Sequence, residues 1–313
     1  MPNPPRSRQR GLALVLVLWV LTLMTVMAGS YGLSTRREAA LLEHAHERAK
    51  GVALADGGIS YAMMMLSLPD PKLRWRVDGT PYFWEAEGDR VRIRIMDEGG
   101  KIDLNVAQEQ TLRTVLNFFL HNDEQSVQLA DAILDWRDPD DLKRLHGAES
   151  ADYKSAGSKQ TPQNRHFLVM EELRSVLGIT PELYRALEPW FTLYTGQDGI
   201  NPARAPREIL LPLMRGDVGA LENFLQQRQL AQGGVAPILP PVPGVRFHSV
   251  GDMAYTILSI AEFPDQPGAG VKAIVKRGRG PDGSPFTYLS WKPRMMYSRP
   301  GEPGAQERQA PQH

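Results

Sequence analysis

The chain contains 313 residues and no cysteine, and its 36 Lys and Arg residues balance its 36 Asp and Glu residues. This length allows one or two domains, each with enough apolar residues for a core. The lack of cysteine excludes disulfide bonds, thiolate metal ligands and a cysteine nucleophile, and the neutral balance argues against a basic surface for nucleic acid.

One long apolar segment, residues 12–33, lies near the N-terminus and contains no charged residue. As a helix it is about 33 Å long, which matches the apolar thickness of a bilayer. Arg6, Arg8 and Arg10 precede it and predict a cytoplasmic N-terminus with the rest of the chain on the other side. A plain signal anchor and a signal peptide cleaved near Ser30 are the alternatives for this segment.

Residues 34–68 predict an amphipathic continuation of the same helix. The segment contains no proline, is rich in good helix formers and repeats apolar residues at three- and four-residue steps. Gly57 and Gly58 weaken it by about 1 kcal/mol each, and Pro69-Asp70-Pro71 ends it. We therefore expect one continuous helix, embedded in lipid in its first half and packed on a globular body in its second.

The rest of the chain predicts an α+β body in which helices interrupt an antiparallel sheet. The sheet opens within residues 69–107, a helical domain is inserted at 108–225, the strands resume within 226–292, and a disordered tail occupies 293–313. Strands are predicted at residues 82–84, 91–95, 255–260, 271–276 and 286–291. Helices are predicted at residues 110–119, 124–135, 169–176, 181–188 and 206–214.

A polar loop at residues 138–165 and the end of the preceding helix contain the candidate metal ligands. Ca²⁺ prefers about six to eight oxygen ligands, and clustered carboxylates repel one another unless a cation or nearby arginines neutralise them. Solvated acids in an Asp-Pro turn explain the same pattern without a metal, so both interpretations stay open. The candidates are Asp135, Asp138, Asp140, Asp141, Glu149 and Asp152.

Residues 173–187 predict a helical hairpin, with Gly178 at the turn and Thr180 capping the next helix before Pro181. Similar hairpins bind nucleic acid backbones, but here the flanking Glu171 and Glu172 together with Glu182 outnumber the two arginines, Arg174 and Arg185, which favours simple packing. The chain contains no phosphate-binding loop, dinucleotide fingerprint, zinc-protease motif or nucleophile elbow. We therefore expect a protein that is not an enzyme.

Arg10-Gly11 before the apolar run resembles a type IV prepilin leader. Three further motifs resemble the minor pseudopilin K family of type II secretion systems, and with the leader the resemblance covers about residues 10–210 in the same order. The motifs are Asp135-Trp136-Arg137-Asp138-Pro139-Asp140, Gly147-Ala148-Glu149-Ser150-Ala151-Asp152-Tyr153, and Glu172-Leu173 with Gly178-Ile179-Thr180 through Gly199-Ile200-Asn201.

The resemblance implies a pilin-like α+β fold with a large inserted all-α domain, and a leader peptide at residues 1–11. Prepilin peptidase would cut between Gly11 and Leu12, and the new N-terminus at Leu12 would be methylated, although pilins usually have Phe there. Leu16 stands where most pilins have a Glu that pairs with a neighbouring subunit's amine. K-type pseudopilins typically lack that Glu.

The resemblance also implies a single-pass protein of the inner membrane with a periplasmic body. Such a protein caps the tip of the pseudopilus with minor pseudopilins I and J and primes assembly for export of folded proteins. Its further partners would be other pseudopilins, prepilin peptidase and the inner-membrane secretion platform. The resemblance places a structural Ca²⁺ in the acidic loop. The alternative function is a membrane-anchored helix-hairpin-helix module that binds nucleic acid.

Overall fold

The computed structural model describes residues 11–86, 88–231, 238–263, 268–280 and 283–296. Helix α1 (Gly11–Ser67) is continuous, which confirms the single helix predicted from the two sequence segments. Its stretch Leu14–Tyr31, with a mean hydropathy of 2.0, is long and apolar enough to cross a membrane. The basic residues 1–10 of the expected leader lie outside the described residues.

Hydroxyl groups inside the apolar stretch bond to the helix backbone. Thr22 Oγ1 donates to the carbonyl of Trp19 and Thr25 Oγ1 to the carbonyl of Leu21, each at 2.8 Å. In a bilayer, no water is present to satisfy a hydroxyl, so an internal partner lowers the cost of burying it in lipid. The threonines are therefore compatible with a membrane-spanning segment.

A five-stranded antiparallel sheet forms the body, with strand order β1-β2-β5-β6-β7. The hairpin of β1 and β2 turns at Gly88, whose φ of +85° suits glycine. Strand β7 continues to Met296, so residues 293–296 are strand and not part of the expected tail; residues 297–313 lie outside the described residues. The strands are β1 (Asp78–Ala86), β2 (Asp89–Asp97), β5 (Ala254–Glu262), β6 (Gly268–Arg277) and β7 (Phe286–Met296).

Helices lie in the chain between β2 and β5, as the sequence predicted. A pair of two-residue parallel strands, β3 (Ile102–Asp103) and β4 (Phe191–Thr192), lies among them and was not predicted. The helices are α2 (Glu109–Leu120), α3 (Asp123–Arg137), α4 (Ser150–Ser155), α5 (Pro181–Leu187), α6 (Arg207–Leu213) and α7 (Val218–Leu230).

Three helical segments differ from the prediction, because one predicted α-helix is a 3-10 helix and the helices α4 and α7 were not predicted. The α-helix expected at 169–176 is a 3-10 helix, Met170–Ser175, and the Tyr153 hydroxyl accepts a hydrogen bond at 2.9 Å from the Leu177 N–H just beyond it. In a longer α-helix, the Leu177 N–H would instead donate to a carbonyl within the helix. Asp217 caps the N-terminus of α7 and the helix buries Leu221. The helix runs past residue 225, where we expected the helical domain to end.

The C-terminal part of α1 packs on one face of the sheet. Ile59 and Leu66 of the helix, and Val91 and Ile93 of β2, are buried, and each such side chain stabilises the fold by about 1.5–3 kcal/mol. Gly58 permits the close approach. A Cβ added to Gly58 would lie 3.0 Å from Val91 Cγ1 and would overlap the Ser259 hydroxyl.

Replacing Gly58 with Ala is expected to lower the free energy of unfolding by about 1–3 kcal/mol, because the added methyl overpacks the contact between helix and sheet. Gly219→Ala in α7 is the matched control, because its Cβ meets only Asp217 Oδ1 at an ordinary 3.4 Å. It should be neutral or stabilising, since alanine favours a helix. Denaturant unfolding of the detergent-solubilised chain measures both. Equal effects of the two substitutions would contradict the packing argument.

Candidate metal site

The candidate carboxylates lie at the C-terminal end of α3 and in the segment that follows it to α4. Asp135 is in the last turn of α3, Asp138 is its C-terminal cap, and Glu149 is the residue before α4. The expected loop is therefore a folded structure with a helix of its own. Two of its acids, Asp135 and Asp152, hold the loop together through hydrogen bonds. Others have carboxyl oxygens that are free of such bonds.

Asp135 organises the loop. Its fully buried carboxylate accepts the backbone N–H of Arg144 at 3.2 Å and lies 3.3 Å from the Arg144 guanidinium. Gly147 packs so closely on it that no larger residue would fit. Burial raises the pKa of Asp135 to about 6; the nearby Asp138 charge adds to this effect, and the Arg144 N–H opposes it.

Asp152 caps α4. One carboxyl oxygen accepts the backbone N–H of Glu149 at 2.9 Å, and the other lies 2.7 Å from Lys143 Nζ. The hydrogen bond from Lys143 and that from the Glu149 N–H hold the pKa of Asp152 below its usual value. With its oxygens engaged in this way, Asp152 is a structural acid like Asp135.

Glu149 and Asp138 form the open part of the cluster. Glu149 is 6% exposed, and its side chain faces the Asp152 N–H in the capping box of α4. Neither carboxyl oxygen meets strict hydrogen-bond geometry, although the Ser150 N–H is close enough to lower its pKa. Burial, and then the charges of Asp135, Asp138 and Asp141, raise the pKa of Glu149 to about 7. Asp138 pairs with Arg144 through Oδ2 at 3.2 Å, while its Oδ1 is buried without a partner.

The remaining two acids have one local bond each. Asp140 Oδ1 accepts the backbone N–H of Leu142 at 2.9 Å, and Asp141 Oδ1 accepts the side-chain amide of Asn164 at 2.8 Å. Asn164 was not among the predicted site residues, and it is 23 residues from Asp141. Its left-handed backbone, with φ of 49°, is a conformation that Asn adopts more readily than most residues, but composition alone does not reveal it.

The donor set fits a hard cation. Asp138 and Glu149 present buried acceptor oxygens that have no donor, and an all-oxygen site suits Ca²⁺ better than zinc or copper. In the part of the chain that the structure describes, no three His, Asp or Glu side chains are grouped closely enough to hold a metal ion. Calcium would therefore need amide, backbone or water oxygens besides these two carboxylates.

An aromatic cluster packs at the end of α3, where the acidic loop begins. Trp136 is 1% exposed, and its ring lies 5.8 Å from that of Tyr153 on α4 and 6.2 Å from that of Phe167. The next residue, Arg137, donates through its guanidinium to the backbone carbonyls of Leu104 and Ala107. The end of α3 is thus fixed by apolar packing and by partly buried hydrogen bonds.

The hairpin is stabilised by contacts within the chain. Thr180 accepts the Leu183 N–H at 3.2 Å and caps α5, as predicted. The guanidinium of Arg174 lies 5.6 Å from the centre of the Tyr184 ring, and Arg185 lies 2.8 Å from Glu182. Because both arginines have intramolecular partners, the geometry favours packing over nucleic acid binding.

Comparison with known families identifies the segment that contains the acidic loop and the hairpin. Residues 96–196 match the family model of type II secretion system protein K. Type II secretion system protein K from Pectobacterium carotovorum is 29% identical over 211 residues, which are 59% of this chain and 63% of that relative. The Aeromonas hydrophila protein of the same name is 28% identical over 214 residues, or 60% and 64%. The chain thus spans less than two thirds of these relatives.

A solved structure shows the same fold. The chain superposes on a chain of the GspK–GspI–GspJ complex from enterotoxigenic Escherichia coli with a TM-score of 0.56 and 18% identity. The match covers 80% of this chain and 97% of that one. The predicted α+β fold class and the resemblance to the protein K family are therefore confirmed.

Proposed function

Because residues 96–196 form a domain of the type II secretion system protein K family, we propose that the chain is a minor pseudopilin. Helix α1 anchors the chain in the inner membrane and, on assembly, packs against neighbouring pseudopilin helices. The body lies in the periplasm at the tip of the pseudopilus and primes its assembly for protein export. The observation that carries this proposal is one chain with both the family domain and a continuous N-terminal helix of 57 residues.

A position at the tip is supported by Leu16. Its side chain is apolar, where an internal pilin subunit needs a carboxylate for the amine of its neighbour. A subunit with no neighbour above it does not need that carboxylate, and burying one without a partner would cost several kcal/mol. The helices between β2 and β5 add bulk that stacks poorly inside a thin filament, which favours the same position.

The partners follow from the solved structure, which is a complex of GspK with GspI and GspJ. We propose that this chain forms the corresponding tip complex with minor pseudopilins I and J. Immunogold labelling of isolated pseudopili tests the location, with label expected at one end of each filament. Label along the whole filament would contradict a role as the tip.

Intact mass of the chain from native membranes tests the prepilin pathway. We expect a mass lacking residues 1–11, with one methyl group on Leu12. Gly11→Val should block processing, because prepilin peptidase cleaves after this glycine. Gly29→Val is the control, because nothing lies within 4 Å of an added Cβ there. A full-length mass for the unmodified chain would leave a plain signal anchor, and cleavage near Ser30 would mean a secreted protein.

We also propose a structural Ca²⁺ in the acidic loop. Asp138 and Glu149 would supply carboxyl oxygens, with Asp140 and Asp141 beside them, while Asp135 and Asp152 hold the loop in shape. When bound, the ion would neutralise these clustered charges. A long polar loop gains much from such an ion, because metal binding to the folded state adds directly to the stability of the fold.

Calcium is expected to stabilise the protein after treatment with EDTA, by about 2.7 kcal/mol when its free concentration is 100 times the dissociation constant. Glu149→Gln should remove most of this gain, because it replaces a carboxylate ligand. Glu182→Gln should leave the gain intact, because Glu182 is an exposed surface residue. Thermal unfolding with and without CaCl₂ measures the effect. An equal gain with MgCl₂, or none with CaCl₂, would show that calcium is the wrong ion.

A further inference from the structure

The side chain of Asn164 approaches the acidic loop from the segment that follows α4. Its amide nitrogen donates to Asp141 Oδ1 at 2.8 Å. A carboxylate can only accept, so this bond determines which end of the amide faces Asp141. The amide oxygen, Oδ1, is buried and has no hydrogen-bond donor.

This oxygen has the same character as the open oxygens of the loop. Asp138 Oδ1 is also buried without a donor. The Glu149 carboxylate is more than nine-tenths buried and faces only the N–H groups of its own α4 turn, Ser150 and Asp152, outside strict hydrogen-bond geometry. The charges of Asp138 and Asp141 act on the Glu149 carboxyl group, and Asn164 is bonded to Asp141. Buried polar atoms normally have partners, and acceptors from three residues in one region call for a cation or ordered water.

We infer that the side-chain oxygen of Asn164 is a ligand of the calcium ion proposed above, together with Asp138 and Glu149. This inference rests on the calcium proposal. Amide oxygens are among the ligands that Ca²⁺ uses, and one neutral ligand adds no further repulsion to a crowded acidic cluster. It also accounts for a site in which, among the described residues, acidic side chains alone do not suffice.

The position of Asn164 gives this ligand a role in the loop. The ion would join the end of α3, the start of α4 and the segment before Phe167, so that residues far apart in the chain share one centre. The left-handed backbone at Asn164 is tolerated by Gly and by Asp as well. These two residues therefore change the ligand and leave the backbone conformation accessible.

The test is calorimetric titration of Ca²⁺ into the full-length chain in detergent, after removal of bound metal with EDTA. Asn164→Gly is expected to weaken calcium binding about 10- to 100-fold. Asn164→Asp is expected to lower the melting temperature without calcium, because a second carboxylate then faces Asp141. The same variant should gain more from calcium than the unmodified chain does, because it offers a charged ligand.

Gln163→Gly is the matched control, because Gln163 is the exposed neighbour and its amide donates to the Thr161 carbonyl at 3.0 Å. This variant should bind calcium like the unmodified chain. If Asn164 only holds Asp141, or if its oxygen bonds to water, both Asn164 variants will lower the melting temperature and leave calcium affinity within about twofold, which would overturn the inference. Failure of the unmodified chain to bind calcium would overturn the calcium proposal itself, together with the inference that rests on it.

Discussion

Replacing Lys101 with Met is expected to lower the free energy of unfolding by about 3–5 kcal/mol. Lys101 Nζ lies 2.5 Å from Glu98 Oε1 and 3.0 Å from Thr256 Oγ1. The side chains of Lys101 and Glu98 are 6% and 1% exposed. The substitution leaves the Glu98 carboxylate buried without its counter-charge, and this desolvated charge is the source of the loss.

Two further variants separate the buried charge from other causes. Arg185→Met breaks the exposed pair with Glu182, whose side chains are 71% and 74% exposed, and should cost no more than about 1 kcal/mol. The double variant Glu98→Gln/Lys101→Met should recover much of the lost stability, because it removes both charges. If Lys101→Met is as mild as Arg185→Met in denaturant unfolding, the Glu98–Lys101 pair does not behave as a buried pair.

The location of the Glu98–Lys101 pair explains why it matters for the fold. Glu98 begins the 3-10 turn Glu98–Gly100 directly after β2, and Thr256 lies on β5, which pairs with β2. The pair therefore holds together the two strands that flank the helical part in sequence. The backbone N–H of Asn201 adds to this junction by donating to the Gly99 carbonyl at 2.8 Å.

Sequence patterns predicted those helices and strands that are determined by residues close together in the chain. Val91, Ile93 and Ile95 alternate with arginines, and the structure places them on the buried face of β2. Contacts between distant residues were not accessible in the same way. Lys101 and Thr256 are 155 residues apart, so a lysine after a strand shows nothing of the pair it forms.

Gly58 illustrates the same limit on a smaller scale. Its low helix propensity is a local property and was visible in the sequence, where it indicated only a weak point in the helix. Its role is to admit the sheet face with Ser259 and Val91, and that depends on tertiary packing.

The sequence predicted which acidic residues the loop contains, but it did not predict the role of each one. The sequence shows six carboxylates near one another, and nothing in it distinguishes Asp135 from Glu149 as a candidate metal ligand. Only the folded loop brings the Arg144 N–H onto Asp135, nine residues away, and leaves the Glu149 carboxylate with no donor beyond the N–H groups of its own α4 turn. The division into structural and open acids therefore depends on backbone geometry that residue types do not encode locally.

Replacing Trp136 with Ala is expected to lower the free energy of unfolding by about 3–5 kcal/mol, because it empties a large volume in the core. The indole is 1% exposed and packs between the rings of Tyr153 and Phe167. Trp291→Ala is the matched control, because Trp291 is 44% exposed, although its Nε1 donates to Asp56 at 2.8 Å. The control should cost no more than about 1–2 kcal/mol, and denaturant unfolding compares the two.

The same substitution should also weaken calcium binding, which links the core to the loop above it. Tyr153 belongs to α4, next to Glu149, and Phe167 follows Asn164 by three residues, so Trp136 supports both sides of the proposed site. Glu149→Gln, in contrast, should reduce calcium binding without the large loss of core stability. If Trp136→Ala destabilises the protein but binds calcium like the unmodified chain, the polar bonds of Asp135 and Asp152 hold the loop without support from the core.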